Sequence, residues 1–292
     1  MKVCNLLVSQ RGEVVYNGQE YAKENCENMP KIVFFDIDGT IWDEKMEIPH
    51  STVETIQQLK DKGHKTFICS GRGRANIRSK KLLSLGFDGI IASCGNHIEM
   101  DGEIIYQKLL PQELIRRAIQ LLEENHMPVV LEGPTYHWVD EDAFADDPFV
   151  DYIREEMGEF AVPITGYEGE YVINKFSADI MPDTNFENVQ KALENELDFL
   201  VHPGAPFQVV EFIPKGTSKA TGIQKVCELL GVDVADTYAI GDSVNDLDML
   251  TFVGHGIAMG NGTPVAKEAA EYVTTGIKED GIKHAMEHYG LI

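Results

Sequence analysis

The apolar run Ile32-Val33-Phe34-Phe35, followed at once by Asp36-Ile37-Asp38-Gly39-Thr40, constrains this chain more than any other segment. Four successive apolar residues after Lys31 read as a strand covered on both faces, the kind found in a parallel α/β sheet. Two carboxylates two residues apart then emerge where the strand ends, and Gly39-Thr40 turns the backbone. In open α/β sheets ligands bind beyond the carboxyl ends of the strands, so both acids are delivered to the place where chemistry occurs. Like charges this close repel unless a cation or a shared proton compensates them. The pair is therefore suited to hold Mg²⁺, to attack phosphorus, or both.

Elsewhere the chain alternates in two rhythms. Residues 1–30 read as a peripheral extension, with Val14-Val15-Tyr16 closing a small hairpin at Asn17-Gly18 and 23–28 as a solvated arm. From 31 the order is strand, helix from Pro49 to Asp61-Lys62 capped by Gly63, strand Lys65 to Ser70, helix from Gly71-Arg72-Gly73 to Gly86, and strand 88–93. Then hairpins appear: 97–100 and 103–106 flank Asp101-Gly102, and helices at 111–125 and 184–196 mix with short strands near 129–131, 137–139, 175–181 and 207–212. After Lys215 the first rhythm returns, with a helix over 218–230 and strands at 237–241, 256–259 and 271–274. The expected fold is α/β: a doubly wound, Rossmann-like parallel-sheet core made of 31–93 and 207–292, with a smaller α+β domain, 94–206, inserted into it.

Charge narrows the partners. Acidic residues outnumber basic ones 48 to 25, a net charge of −23. That balance argues against a sequence-independent grip on nucleic acid and against docking on an anionic membrane. An anionic substrate would need a local cluster of cations, which a divalent metal supplies. The cysteines, Cys4, Cys26, Cys69, Cys94 and Cys227, have no framework spacing and read as free thiols. No apolar run is long enough to span a bilayer, and the first residues have too short an apolar core for a signal peptide. The expected location is the cytoplasm.

Three further stations repeat the strand-end logic. Ala239-Ile240-Gly241-Asp242 ends a buried strand in an acid, with Ser243-Val244-Asn245-Asp246 following. Acids at the ends of two strands can share one hard cation. Ile68-Cys69-Ser70-Gly71-Arg72 places a hydroxyl and free N–H groups at another strand end. Lys219, in the first turn of a helix, opposes the helix dipole and so requires a nearby anion, either carboxylates or a phosphate.

Together, Asp-x-Asp-Gly-Thr at 36–40, Ser70, Lys219 and Gly-Asp-x-x-Asn-Asp at 241–246 resemble, in order, the four motifs of the haloacid dehalogenase (HAD) superfamily. The long insert, Ser93-Cys94-Gly95-Asn96 at its start and Glu279-Asp280-Gly281-Ile282 near the end are similar to its Cof-type phosphatases, which carry a large α/β cap. The resemblance implies a phosphatase of small phosphorylated metabolites, such as sugar phosphates, pyridoxal phosphate or flavin mononucleotide. It implies Asp36 as nucleophile, forming an aspartyl-phosphate, and Asp38 as acid and then base, with a raised pKa. Mg²⁺ would be held by Asp36, the Asp38 carbonyl and Asp242. Ser70 and Lys219 would hold phosphoryl oxygens, aided by N–H groups near Ile37 and Gly71. Asn245 would orient phosphate or nucleophile, and Asp246 would steady Lys219 or a metal-bound water. An acid at 38 favours ester hydrolysis over dehalogenation or ion pumping, and no Walker P-loop is present.

Two alternatives use the same fold: a phosphomutase, and a phosphometabolite-binding protein without catalysis. A mutase must grip a second phosphate, and 94–206 contains only Arg116, Arg117 and Arg154. The intact Asp36, Asp38, Lys219 and Asp242 oppose loss of catalysis. Arg72 meets either substrate or a structural partner. His97, His137 and His202 read as hairpin or surface residues, the run 140–147 as a solvated loop, and Tyr136, His137, Trp138 and Lys175 as mainly cap core. Glu211 resembles a family position of undefined role.

Overall fold

The structure, a computed structural model, describes residues 14–16, 19–21, 30–144, 146–202 and 207–292. The arm over 23–28 lies outside them. Val14–Tyr16 and Gln19–Tyr21 pair antiparallel with Tyr16 opposite Gln19, as the expected hairpin requires; Asn17-Gly18 lies outside the described residues.

Eight strands form the larger sheet, in the order Tyr272–Val273, His255–Ala258, Thr237–Gly241, Ile32–Phe35, Lys65–Cys69, Gly89–Ala92, His97–Met100 and Glu103–Gln107. The first six run parallel, and the last two are added as a hairpin paired antiparallel to the sixth strand. The apolar run of Ile32–Phe35 is explained by its two faces. Val33 and Phe35 pack with Ile56, Leu59, Ile282 and Met286 of helices His50–Asp61 and Gly281–His288. Ile32 and Phe34 point the other way, onto Ile223, Val226, Met249 and Leu250 of helices Lys219–Leu230 and Leu247–Phe252. Each fully buried side chain of this size contributes about 1.5–3 kcal/mol. The result is a doubly wound core, as expected.

Topology positions the site. From Ile32–Phe35 the chain steps to Lys65–Cys69 and Gly89–Ala92 on one side, while Thr237–Gly241 and its successors lie on the other. The strand order reverses at Ile32–Phe35, and such a switch point opens a crevice at the carboxyl ends of the strands. Asp36, Ser70 and Asp242 are the residues immediately after the three central strands.

The smaller sheet has six strands, in the order Ala161–Pro163, His137–Val139, Val129–Glu132, Lys175–Asp179, Val209–Pro214 and Leu197–His202. One face packs helices Gln112–Glu124 and Phe186–Leu193 through Leu131, Phe176, Val210 and Phe212. The opposite face packs helix Pro148–Met157 through Phe149, Val150 and Met157.

Several boundaries differ from expectation. The hairpin at 97–106, assigned to the insert beginning at 94, pairs with Gly89–Ala92 and extends the larger sheet. Conversely Val209–Pro214, assigned to the core segment beginning at 207, lies between two strands of the smaller sheet. Hairpin chemistry marks a turn but not the sheet that receives it. The helix expected up to Gly86 is only a turn at Arg74–Asn76 and a short helix Lys80–Leu83. The backbone N–H groups of Gly73 and Ala75 donate instead to Glu132 Oε2 and the Gly133 carbonyl of the smaller sheet. The acidic run 140–147 is not a fully solvated loop. Asp140 and Asp147 are buried, and Asp147 accepts from Phe149 and Val150 N–H to cap helix Pro148–Met157. The sequence pattern predicts neither that helix nor strand Leu197–His202.

Candidate active site

The turn after Ile32–Phe35 is built by its own backbone. Ile41 and Trp42 N–H donate to the Ile37 carbonyl, and Gly39 N–H donates to the Trp42 carbonyl. Gly39 takes φ +75°, and a Cβ there would lie 2.4 Å from Asp242 Oδ2. Both the left-handed backbone and the close approach of the second acid require glycine. Gly39→Ala is expected to destabilise the fold by ~1–2 kcal/mol from backbone strain and to push Asp242 outward. Urea unfolding with and without Mg²⁺ checks this, since the metal-dependent part of the stability should fall most.

Lys219 joins the stations. Ser218 N-caps helix Lys219–Leu230, so the ammonium group starts at the dipole's positive end, and the anticipated anions are present. Its Nζ lies 2.6 Å from Asp36 Oδ1 and 2.5 Å from Asp246 Oδ1, with the side chain 1% exposed. Asp246 Oδ2 accepts from the N–H groups of Asp242 and Ser243. Asp246 therefore steadies Lys219 and the strand-end turn at once.

Asp36, Asp242 and Asp246 bring carboxylate oxygens within 4.8 Å of one another. Burial pushes Asp36 well above the usual carboxylate range; Lys219 opposes the rise, and Asp246, Asp242 and Asp38 add to it. Burial and then Asp246 push Asp242 up to about 7. Asp242 Oδ1 is buried without a hydrogen-bond partner. Crowded hard oxygens with one orphan among them fit a divalent cation such as Mg²⁺. Because both Asp246 oxygens are already engaged, the residues suited to ligate it are Asp36 and Asp242.

Asp38 departs from expectation. Desolvation in the cleft would raise its carboxyl, but the Arg72 hydrogen bonds and charge, with help from Trp42, outweigh it and hold the pKa below the usual value. Arg72 Nε donates to Asp38 Oδ2 at 2.6 Å and Nη2 to Oδ1 at 2.9 Å, while Trp42 Nε1 donates to Oδ1 at 2.8 Å. The neighbouring charge and partial burial predict a raised pKa; the bidentate guanidinium reverses the sign. Arg72 also reaches Glu156 Oε1 of the smaller unit at 2.6 Å.

A cavity of about 340 Å³ opens above these groups, lined by Asp36, Asp38, Ser70, Gly71, Arg72 and Asn245 from the larger unit. Ser70 Oγ accepts from Arg72 N–H, and Asn245 Oδ1 accepts from Ser243 Oγ, which fixes the amide orientation. From the smaller sheet come Glu132, His137, Lys175, Ser177, His202 and Glu211. The sequence gives no signal for Glu132, and His137, expected as a hairpin, surface or cap-core residue, is buried and lines the cleft. The available signal was strand alternation. In Lys175–Asp179 and Val209–Pro214, Phe176, Ala178, Val210 and Phe212 enter the cap core. The polar residues between them, Lys175, Ser177 and Glu211, face the cleft. Trp138 is in that core, Tyr136 is exposed, and His97 is buried against Glu99. Arg116, Arg117 and Arg154 lie outside the cleft, bound to the Gly169 carbonyl, Glu196 and Asp151.

The chain belongs to the haloacid dehalogenase-like hydrolases, whose family model matches residues 33–286. Its kin are phosphatases of the Cof type, and it is a phosphoric monoester hydrolase. The Bacillus subtilis protein named "Putative phosphatase YkrA" is 36% identical over 271 residues, covering 90% of this chain and 98% of that one. A second B. subtilis relative, 5-amino-6-(5-phospho-D-ribitylamino)uracil phosphatase YitU, is 29% identical over 281 residues, 90% of this chain and 98% of its own. Among solved structures, a hypothetical protein from Geobacillus kaustophilus HTA426 has a TM-score of 0.77 at 30% identity, covering 90% of this chain and all of its own. The HAD subclass IIB sugar phosphatase BT4131 has a TM-score of 0.75 at 28% identity, with the same coverage. No helix among the described residues is long and apolar enough to cross a membrane.

Proposed function

We propose that this phosphatase is Mg²⁺-dependent, acts on small phosphorylated metabolites in the cytoplasm and works through an aspartyl-phosphate on Asp36. The observation that carries the reading is Asp36 itself. One of its oxygens is held by Lys219, and the carboxylate lines the floor of a cavity sized for a small phosphate ester. When bound, Mg²⁺ supplies Lewis-acid neutralisation of phosphoryl charge.

Asp36 attacks phosphorus in line, while Lys219, Ser70 and the Gly71 N–H supply positive charge and donors to the phosphoryl oxygens. Asn245 orients the phosphoryl group or the nucleophile. Asp38 transfers the proton to the leaving alcohol, which requires the Arg72 fork to release it as substrate arrives. The same carboxyl then accepts a proton from the hydrolytic water. The smaller unit acts as a cap, with the leaving group enclosed against its sheet. Candidate substrates are sugar phosphates and cofactor phosphates such as pyridoxal phosphate or flavin mononucleotide. The relative named for a phosphoribitylamino-uracil adds that chemistry to the panel. Hydrolysis is favoured over mutase chemistry because the three cap arginines are committed elsewhere. A non-catalytic role fits poorly with a site in which Asp36, Lys219 and Asp242 all converge.

Phosphate release measured across a substrate panel tests the reading, with EDTA abolishing turnover and Mg²⁺ restoring it. Mg²⁺ at about a hundred times its Kd should also stabilise the fold by ~2.7 kcal/mol, seen as a rise in Tm. Asp242→Asn should lose most of that rise. A metal-independent Tm in the wild-type chain would count against the cation site.

A further inference from the structure

A second cavity, about 640 Å³, reaches the acidic turns from the larger unit alone. Asp38, Gly39, Asp242, Ser243, Asn261 and Ile277 are among the residues lining it, and none belongs to the smaller unit. Asp36 and Asp242 stand just past paired strands, and the ladder between those strands ends where Asp36 N–H donates to the Ile240 carbonyl at 2.9 Å. Among the described residues, no backbone hydrogen bond joins 37–42 to 241–246. Another element must therefore hold the two turns at a fixed spacing.

The loop over 259–263 does so. Asn261 Nδ2 donates to the Gly39 carbonyl and its Oδ1 accepts from Ile277 N–H, both at 2.8 Å. A carbonyl on one side and an N–H on the other permit only one orientation of the amide. Two residues on, Thr263 N–H donates to the Asp242 carbonyl at 2.7 Å, and the Thr263 hydroxyl donates to the same oxygen at 3.3 Å. Glycines let the loop lie this close. A Cβ at Gly260 would stand 2.6 Å from Gly276 N, and one at Gly262 would stand 2.8 Å from the Asp242 carbonyl oxygen. The loop thus grips one acidic turn through Asn261 and the other through Thr263. Asn261 is exposed, so water can replace its bonds and the core does not depend on it.

We propose that Asn261 is a positioning residue for the cation: by tying the Gly39 turn to the loop that holds Asp242, it sets the separation of the two acidic turns and with it the preference for a small divalent ion. Gly39 directly follows Asp38, whose carbonyl is an expected ligand, and Asp242 supplies another from the opposite turn. Mg²⁺ demands near-octahedral oxygens at about 2.0–2.1 Å, while Ca²⁺ accepts a looser set at about 2.3–2.6 Å. Freeing one turn from the other therefore penalises the smaller ion more. The inference deepens the Mg²⁺ reading and rests on it.

The test is calorimetric titration of the full chain with Mg²⁺ and with Ca²⁺, without substrate. Asn261→Ala should weaken Mg²⁺ by about tenfold and Ca²⁺ by no more than about threefold, so the ratio of the two affinities falls. Asn261→Asp keeps an acceptor for Ile277 N–H but cannot donate to the Gly39 carbonyl. Its added charge attracts both ions alike, so the same ratio should fall there too. Metal-free Tm should drop by no more than about 2 °C in either variant, as for a surface substitution. An unchanged ratio in either variant overturns this inference, while Mg²⁺ binding by the wild-type chain leaves the cation site standing. No Mg²⁺ binding by the wild-type chain overturns both.

Discussion

Asp36→Asn is expected to leave a folded protein whose phosphate release from an aryl ester falls by about 10⁴-fold or more. The amide keeps the shape of the carboxylate and still accepts from Lys219, but it has no charge with which to attack phosphorus. Folding should survive for an electrostatic reason. Asp36 is buried beside Asp242, Asp246 and Asp38, and all three raise its pKa by repulsion. Removing one negative charge from that group relieves the repulsion while Lys219 retains Asp246. Thermal unfolding followed alongside steady-state phosphate release separates the two effects. Residual turnover within tenfold of wild type would mean that another group performs the attack.

Lys219→Met carries the second large effect, on stability and rate together. The ammonium group is buried between two carboxylates whose charges it balances. Without it, Asp36 and Asp246 remain ionisable in a buried site with no counter-charge. Breaking a buried pair in this way costs ~3–5 kcal/mol, against about 0–1 kcal/mol for an exposed one. Loss of a positive donor to the phosphoryl oxygens should also lower kcat by about 10²–10³-fold. Urea unfolding without metal gives the first quantity, and Mg²⁺ should recover part of it by restoring positive charge. A cost below about 1 kcal/mol would show that Lys219 behaves as a solvated side chain.

The parallel core and its site were legible because each signal is local. A strand with two buried faces, an acid at its end and a glycine at the turn lie within one segment, as at 32–39 and 237–242. Lys219 was legible through a local conflict, a cation at a helix N-terminus that demanded an anion. The cap was legible only as a change of rhythm. Its polar wall depends on which alternate residues of separate strands meet across the sheet, such as Lys175 opposite Glu132 and Ser177 opposite Glu211. Register of that kind is set by tertiary pairing. The sign of the Asp38 shift was hidden for a similar reason. Arg72 is 34 residues away in sequence, and only the fold shows that its guanidinium turns toward Asp38 and Trp42. The hairpin at 97–106 kept its turn but joined the other sheet because strand edges accept partners from either direction.

The most direct measurement is the mass of the peptide containing Asp36 after acid quenching during turnover of an aryl phosphate. The account predicts one added phosphoryl group on Asp36, absent from Asp36→Asn and from samples quenched before substrate is added. A phosphoryl group on a different side chain, or steady turnover with Asp36 unmodified at every quench time, would contradict it.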